Sequence, residues 1–171
     1  MKEILWLGRG GQGAFTAAKL LGAAFAAKDE DAYSLAFPSF GPERRGAPVR
    51  AFTKLDDKPI LDRSETELAD YIVLLDETLF SPGLQNLLKP GGQIIVNTRT
   101  ASTAWIAFDG DALARSLRLP VVNTVMLGAL SGLSGVVTVE DMENAIDSYL
   151  APKIREKNKQ AVAQAAQEVQ K

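Results

Sequence analysis

The sequence predicts an α/β fold: a three-layer α/β/α domain with a mostly parallel sheet, opened by a Rossmann-like strand–loop–helix. Three observations carry that expectation. Short apolar runs suited to buried strands alternate with stretches of helical spacing along the whole chain. A glycine-rich loop, GRGGQG at residues 8–13, separates the first such pair. The length of 171 residues and a hydrophobic content of 46% suit one core of ordinary size, so residues 1–171 are read as a single domain.

Each element follows in order. Residues 3–7 form a first apolar strand, ended by the glycine loop. From 13 to 27, Ala14, Ala17, Ala18, Leu20, Leu21, Ala24 and Phe25 keep the spacing of one helix face. The polar turn Lys28-Asp29-Glu30-Asp31 leads into a second strand, 32–37, which Pro38 stops. Residues 38–48, PSFGPERRGAP, hold three prolines and two glycines and are expected as an ordered loop. A strand over 49–55 precedes an acidic segment through Asp70. YIVLL, 71–75, is a continuous apolar run of the kind found in a strand covered on both faces. Helical spacing returns over 81–88, closed by Pro90-Gly91-Gly92. Strands are expected at 93–97 and 106–108, with a helix at 111–117. Residues 121–123 read as a last strand, 124–133 as a small-residue helix packed inside, and 139–150 and 152 to the end as two further helices. The last of these, with Ala161, Val162, Ala165, Ala166 and Val169, reads as a surface or docking helix.

Composition narrows the function. Nineteen Lys and Arg against 21 Asp and Glu give a net charge of −2, so no global basic field recruits nucleic acid. The most apolar stretches, 71–75 and 121–133, are short or interrupted by Asn123, Thr124, Gly128 and Ser131. They fall below the roughly 18 uninterrupted apolar residues of a membrane span. Met1-Lys2-Glu3 opens no signal peptide, so a cytoplasmic location is expected. The absence of cysteine excludes disulfides, a cysteine nucleophile, zinc thiolate sites and any iron–sulfur cluster ligated by cysteines of this chain. The absence of histidine removes the commonest general base and transition-metal ligand. No catalytic or metal-ligating residue is therefore assigned, and chemistry falls to carboxylates, lysines, tyrosines, hydroxyls or a partner.

The glycine loop has the spacing G-x-G-x-x-G at Gly8, Gly10 and Gly13. Gly8 and Gly10 permit a tight turn and close approach of a ligand. Gly13 lets the helix lie against the strand, and the free N–H groups at the helix start suit an anion. Gly8, Arg9, Gly10, Gly11, Gln12 and Gly13 are thus candidate binding residues, with a plain structural turn as the alternative. A dinucleotide site would also need an acidic residue at the end of the second strand to hold a ribose hydroxyl. That end reads Phe37-Pro38-Ser39, and Asp29, Glu30 and Asp31 precede the strand. In the second loop, prolines 38, 42 and 48 stiffen the backbone around Glu43, Arg44 and Arg45. Two neighbouring arginines on such a loop suit bidentate recognition of a carboxylate or phosphate, or ion pairs at a subunit interface, or simple solvation.

Taken together, GRGGQGAFTAAKLL, AFPSFGPERRGAPV and NTVMLGAL resemble the gamma subunit of 2-oxoacid:ferredoxin oxidoreductases, most closely the pyruvate:ferredoxin (pyruvate synthase) type. The likeness runs from Leu5 to the C-terminal helices, and the two loops match in wording, order and separation. The string from Phe40 to Pro48 has the pyruvate or branched-chain wording. The 2-oxoglutarate and indolepyruvate enzymes place a methionine–arginine or glutamine–arginine near its middle. The resemblance implies an enzyme that decarboxylates a 2-oxoacid, passes two electrons to ferredoxin and transfers the acyl group to coenzyme A. It implies coenzyme A as a co-substrate near this chain, with thiamine diphosphate, Mg2+ and iron–sulfur clusters in alpha, beta and delta-type partner subunits. The chain has no cluster cysteines and no G-D-G…N run for the thiamine magnesium, so it is expected to be inactive alone. The other readings are a stand-alone nucleotide-binding regulatory module, a purely structural interface subunit, or the same subunit in an oxalate-, branched-chain- or arylglyoxylate-type enzyme.

Overall fold

The apolar run Ile4-Leu5-Trp6-Leu7 is buried on both faces of strand β1 (Lys2–Arg9), the centre of the sheet. The computed structural model describes residues 1–39 and 46–169. The other strands are β2 (Tyr33–Pro38), β3 (Pro48–Asp56), β4 (Ala69–Leu74), β5 (Leu88–Asn97) and β6 (Ile106–Phe108), in the order β2-β3-β1-β4-β5-β6. β1 pairs parallel with β4, β4 with β5, and β5 with β6. β3 pairs antiparallel with both β1 and β2. The α/β class holds, and the sheet is mixed. β3, the next strand in sequence after β2, returns antiparallel and inserts between β2 and β1.

One face of the sheet carries the α-helices: α1 (Ala14–Ala26), α2 (Gly110–Ser116), α3 (Asn123–Ser134), α4 (Val139–Tyr149) and α5 (Pro152–Val169). They bury Ile4, Trp6, Val73 and Ile95 of the strands against Ala17, Leu21, Met126 and Leu130. Buried polar groups on this face are paired. Trp6 Nε1 donates to Thr53 Oγ1 at 3.0 Å, and that hydroxyl donates to the Ala18 carbonyl at 3.0 Å.

On the opposite face Leu5, Leu7, Phe52, Ile72, Leu74, Ile94 and Val96 form a second core. Its cover is lighter: two 3-10 turns, Glu77–Leu79 and Pro82–Leu87, bring Leu79, Leu84 and Leu87, and Trp105 closes against Phe80. Residues 57–68 tie down at the β3 end. Lys54, two residues from Phe52 and on the same face, is fully buried. Its ammonium donates to Asp62 Oδ2 at 3.2 Å and lies 3.7 Å from Glu3 Oε1. Thr66 donates to Glu3 at 3.3 Å, and Ser39 to Glu65 at 2.6 Å.

Several local expectations change. β1 runs on through Gly8 and Arg9, because both pair with Val49 and Pro48 of β3. The helical spacing at 81–88 becomes a short 3-10 turn, since Pro82 and Gly83 open it and β5 follows at once. Pro90-Gly91-Gly92 lies inside β5 rather than before it. Gly91 has φ 80°, the register shifts between Ala69 and Tyr71 there, and a Cβ on Gly92 would sit 2.9 Å from the Ala69 carbonyl. Residues 121–123 form no strand; Val122 caps α3 and Asn123 begins it. A three-residue apolar run looks the same at a helix entry as in a short strand. Finally, α5 is no free surface helix. Ala161, Val162 and Ala165 are fully buried against α3, which presents Gly128 and Gly132 to them.

Candidate functional site

The glycine loop lies where β1 and β4 end, at the carboxyl edge of the parallel half of the sheet, where α/β sheets bind ligands. Gly8 is buried within β1, and a Cβ there would lie 3.2 Å from Leu75 Cδ1 and 3.3 Å from Gln12 Oε1. Gly10 joins the two loops: its N–H donates to the Ala47 carbonyl at 2.8 Å, and its carbonyl accepts from Gly46 N–H at 3.2 Å. The motif segments that are far apart in sequence thus meet backbone to backbone. Glu43, Arg44 and Arg45 lie outside the described residues.

Arg9 and Gln12 turn inward. The Arg9 guanidinium donates to the Gly46 carbonyl at 3.2 Å and to Thr78 Oγ1 at 2.8 Å, and its Nε lies 3.3 Å from Asp76 Oδ2. Gln12 Oε1 accepts from Arg9 N–H at 2.7 Å, and its amide donates to Asp76 at 3.4 Å. Asp76 follows β4 and is only partly exposed. Partial burial pushes its carboxyl up, but hydrogen bonds from Thr78 N–H and hydroxyl, then the charge of Arg9, outweigh this and hold it below the ordinary carboxylate range. The two side chains expected as extra ligand donors therefore brace the loop.

Two features stay open towards solvent. Gly11 has φ 92° and nothing within 4 Å of where a Cβ would be, and it is exposed. Gly13 is the N-cap of α1 with φ 84°, and no side chain caps the helix. The N–H groups of the first turn are thus left to a ligand, water or a partner, at the positive end of the helix dipole. A Cβ on Gly13 would stand 2.4 Å from Asn123 Nδ2, which donates to the Gly13 carbonyl at 3.4 Å. The starts of α1 and α3 therefore abut.

Other polar residues at this edge were not singled out from the sequence. Asn97 donates to the Leu75 carbonyl at 3.0 Å and to Asp111 at 2.9 Å, and Thr98 hydrogen-bonds Glu77. Gln12, Asp111, Arg115 and Leu119 border a depression of about 200 Å³. The signal was available: Asp76 and Asn97 each sit at the end of an apolar strand run, YIVLLD and IIVN. Among the described residues no three His, Cys, Asp or Glu side chains gather as a metal site. A dinucleotide site also fails on topology, because β3 stands between β1 and β2.

Comparison with known proteins adds five findings. The family model described as pyruvate ferredoxin/flavodoxin oxidoreductase matches residues 3–168. Pyruvate synthase subunit PorC of Methanothermobacter thermautotrophicus is 42% identical over 177 residues, spanning 100% of this chain and 97% of the relative. The common gamma subunit of the pyruvate/ketoisovalerate oxidoreductases of Thermococcus kodakarensis is 41% identical, over 96% of this chain and 95% of its own. The crystal structure of pyruvate oxidoreductase subunit PORC from Thermotoga maritima superposes with a TM-score of 0.82 at 32% identity, covering 97% of this chain and 95% of that one. The 2-oxoglutarate:ferredoxin oxidoreductase of Magnetococcus marinus, solved with 2-oxoglutarate, coenzyme A and succinyl-CoA bound, shares the fold at 16% identity and a TM-score of 0.79. It does so over 99% of this chain and 31% of its own.

Proposed function

The chain belongs to the pyruvate ferredoxin/flavodoxin oxidoreductase family, and from that premise we propose that it completes the coenzyme A region of its enzyme through the glycine loop. It is a subunit of a multi-subunit 2-oxoacid:ferredoxin oxidoreductase. Thiamine diphosphate and iron–sulfur clusters belong to such a complex. The residues of this chain do not fit either group: it has no cysteine, and no metal-binding cluster of side chains occurs among the described residues. No chemical step is therefore assigned to it. In this reading residues 1–171 are one gamma-type domain, alpha, beta and delta-type subunits carry the reaction, ferredoxin meets the complex through them, and the assembly is cytoplasmic. Among the described residues no helix is long and apolar enough to cross a membrane.

The observation that carries the proposal is the uncapped start of α1 beside the open Gly11, braced by Arg9 and Asp76. Exposed backbone N–H groups at a helix start suit a phosphate, and the dipole adds about 0.3–1 kcal/mol. The coenzyme A bound in the Magnetococcus protein of the same fold supports the choice of anion. Pyruvate as the 2-oxoacid follows the names of the relatives, and a shared gamma subunit for pyruvate and ketoisovalerate implies that oxoacid choice rests with partner chains.

The test is Gly11→Ala in the assembled enzyme, since Gly13→Val would collide with Asn123 and disturb the fold. A higher KM for coenzyme A with the oxoacid KM unchanged supports the reading. Unchanged coenzyme A kinetics would reduce the loop to a structural turn.

A further inference from the structure

Arg118 is the one non-glycine residue with positive φ among the described residues, at 56°. It follows the end of α2, where its N–H donates to the Arg115 carbonyl at 3.0 Å and Leu119 N–H donates to the Ala114 carbonyl at 2.9 Å. Glycine is the ordinary occupant of the left-handed position in this helix-closing pattern. An arginine there strains the backbone, yet its side chain forms no ion pair among the described residues.

Arg118 borders a cleft of about 370 Å³, together with Lys153 and Lys157 of α5. These two lysines are also unpaired among the described residues, whereas their neighbours are engaged. Arg155 donates to the Leu150 carbonyl at 2.9 Å, and Lys159 pairs with Asp147 at 2.6 Å. Lys153 and Lys157 are four residues apart and share one face of α5. Lys153 stands in the first turn of the helix, the pole that disfavours cations, and no acidic residue lies there. No carboxylate lines the cleft. In a chain of net charge −2, the segment after α2 and the helix α5 thus place three cations around one hollow, Arg118 and Lys153 against local preference. Leu119, Val121 and Ile154 give it apolar walls, and its size is that of a small-molecule site.

We propose that this cleft binds a phosphorylated small molecule with an apolar or planar body, the phosphate held by Arg118, Lys153 and Lys157. Asn123 lines the cleft and also touches Gly13, so the hollow adjoins the glycine loop. The phosphate could then come from two sources, the far end of coenzyme A or a free nucleotide.

Calorimetric titration of the full chain with AMP, adenosine and inorganic phosphate tests this. Saturable AMP binding is expected, with adenosine and inorganic phosphate each about tenfold weaker or worse. Arg118→Gly should weaken AMP binding about tenfold while raising Tm, because it relieves the backbone. Lys153→Gln with Lys157→Gln should weaken AMP similarly at unchanged or higher Tm. Competition by coenzyme A identifies the co-substrate as the source, and its absence a free nucleotide; either supports the site. The proposal is overturned if AMP does not saturate, if inorganic phosphate binds as well as AMP, or if both variants bind AMP like wild type. It is also overturned if the variants lose only co-purification with partner subunits.

Discussion

Replacing Gly128 with alanine tests how the helical face is held together. In most helices this change stabilises by about 1 kcal/mol, because glycine has the poorer helix propensity. Here the added Cβ would lie 2.5 Å from the Val162 carbonyl oxygen, 2.8 Å from Val162 Cα and 3.0 Å from Ala165 Cβ. Two of these are α5 backbone atoms, so no side chain can swing aside. α5 would have to retreat by about 1 Å to reach ordinary contact, opening the packing around Ala161, Val162 and Ala165. Overpacking of this kind costs about 1–3 kcal/mol, so the propensity gain is outweighed and a net loss of about 1–2 kcal/mol is expected. For a chain of this size that lowers Tm by about 2–8 °C in a thermal melt followed by circular dichroism. Gly132→Ala meets the Ala166 carbonyl at 2.5 Å in the same interface. The double variant should therefore lose less than the sum of the two, since one displacement of α5 accommodates both. A Gly128→Ala protein as stable as wild type, or more stable, refutes the close α3–α5 packing.

Two further outcomes follow. Asp62 is exposed, and its carboxyl is held at about 2, first by the Ser64 hydroxyl and N–H and then by Lys54, against an ordinary 3.8. A depressed carboxylate stabilises above its unfolded value and loses that contribution on acidification, here as pH falls from about 4 to about 2. Asp62→Asn should accordingly flatten the dependence of Tm on pH across that window, and an unaltered profile would remove the Lys54–Asp62–Ser64 tie as a cause. Replacing Arg44 and Arg45 together with alanine should leave the fold of this chain intact but weaken assembly or substrate binding of the complex about ten- to a hundredfold, the worth of one or more charge-assisted contacts; wild-type assembly and kinetics would leave them as solvated charges.

Much of the fold was legible because strand burial writes itself into composition. YIVLL reads as a strand covered on both faces and ILWL as an apolar strand, and Ile72, Val73, Leu74 and Leu75 of the one and all four residues of the other are buried. The order of the strands was not legible. Nothing local to 49–55 says that β3 inserts between β1 and β2, because that choice is made by the connection and by burial across the sheet. The cover over Ile72 and Leu74 was legible only in part: 81–88 has helical spacing but folds as a short 3-10 turn, and Glu77–Leu79 is too short to leave a periodicity. At the site, the two loops were recognisable by their glycines and prolines, and they do meet at Gly10, Gly46 and Ala47. The role of Arg9 was not, because Asp76 and Thr78 approach it from 67 and more residues away in sequence, a pairing that only the parallel β1–β4 ladder creates.

The central claim, that this chain completes a site without carrying the chemistry, is tested most directly by reconstitution. Pyruvate-dependent reduction of a viologen dye would be measured with this chain alone, with the partner subunits alone, and with all subunits combined. Thiamine diphosphate and coenzyme A would be present throughout. The expected result is no turnover from this chain, which lacks cysteine and histidine, and coenzyme A-dependent turnover only when it joins its partners. Turnover by this chain alone, or a full coenzyme A-dependent rate from the partners without it, would contradict the claim.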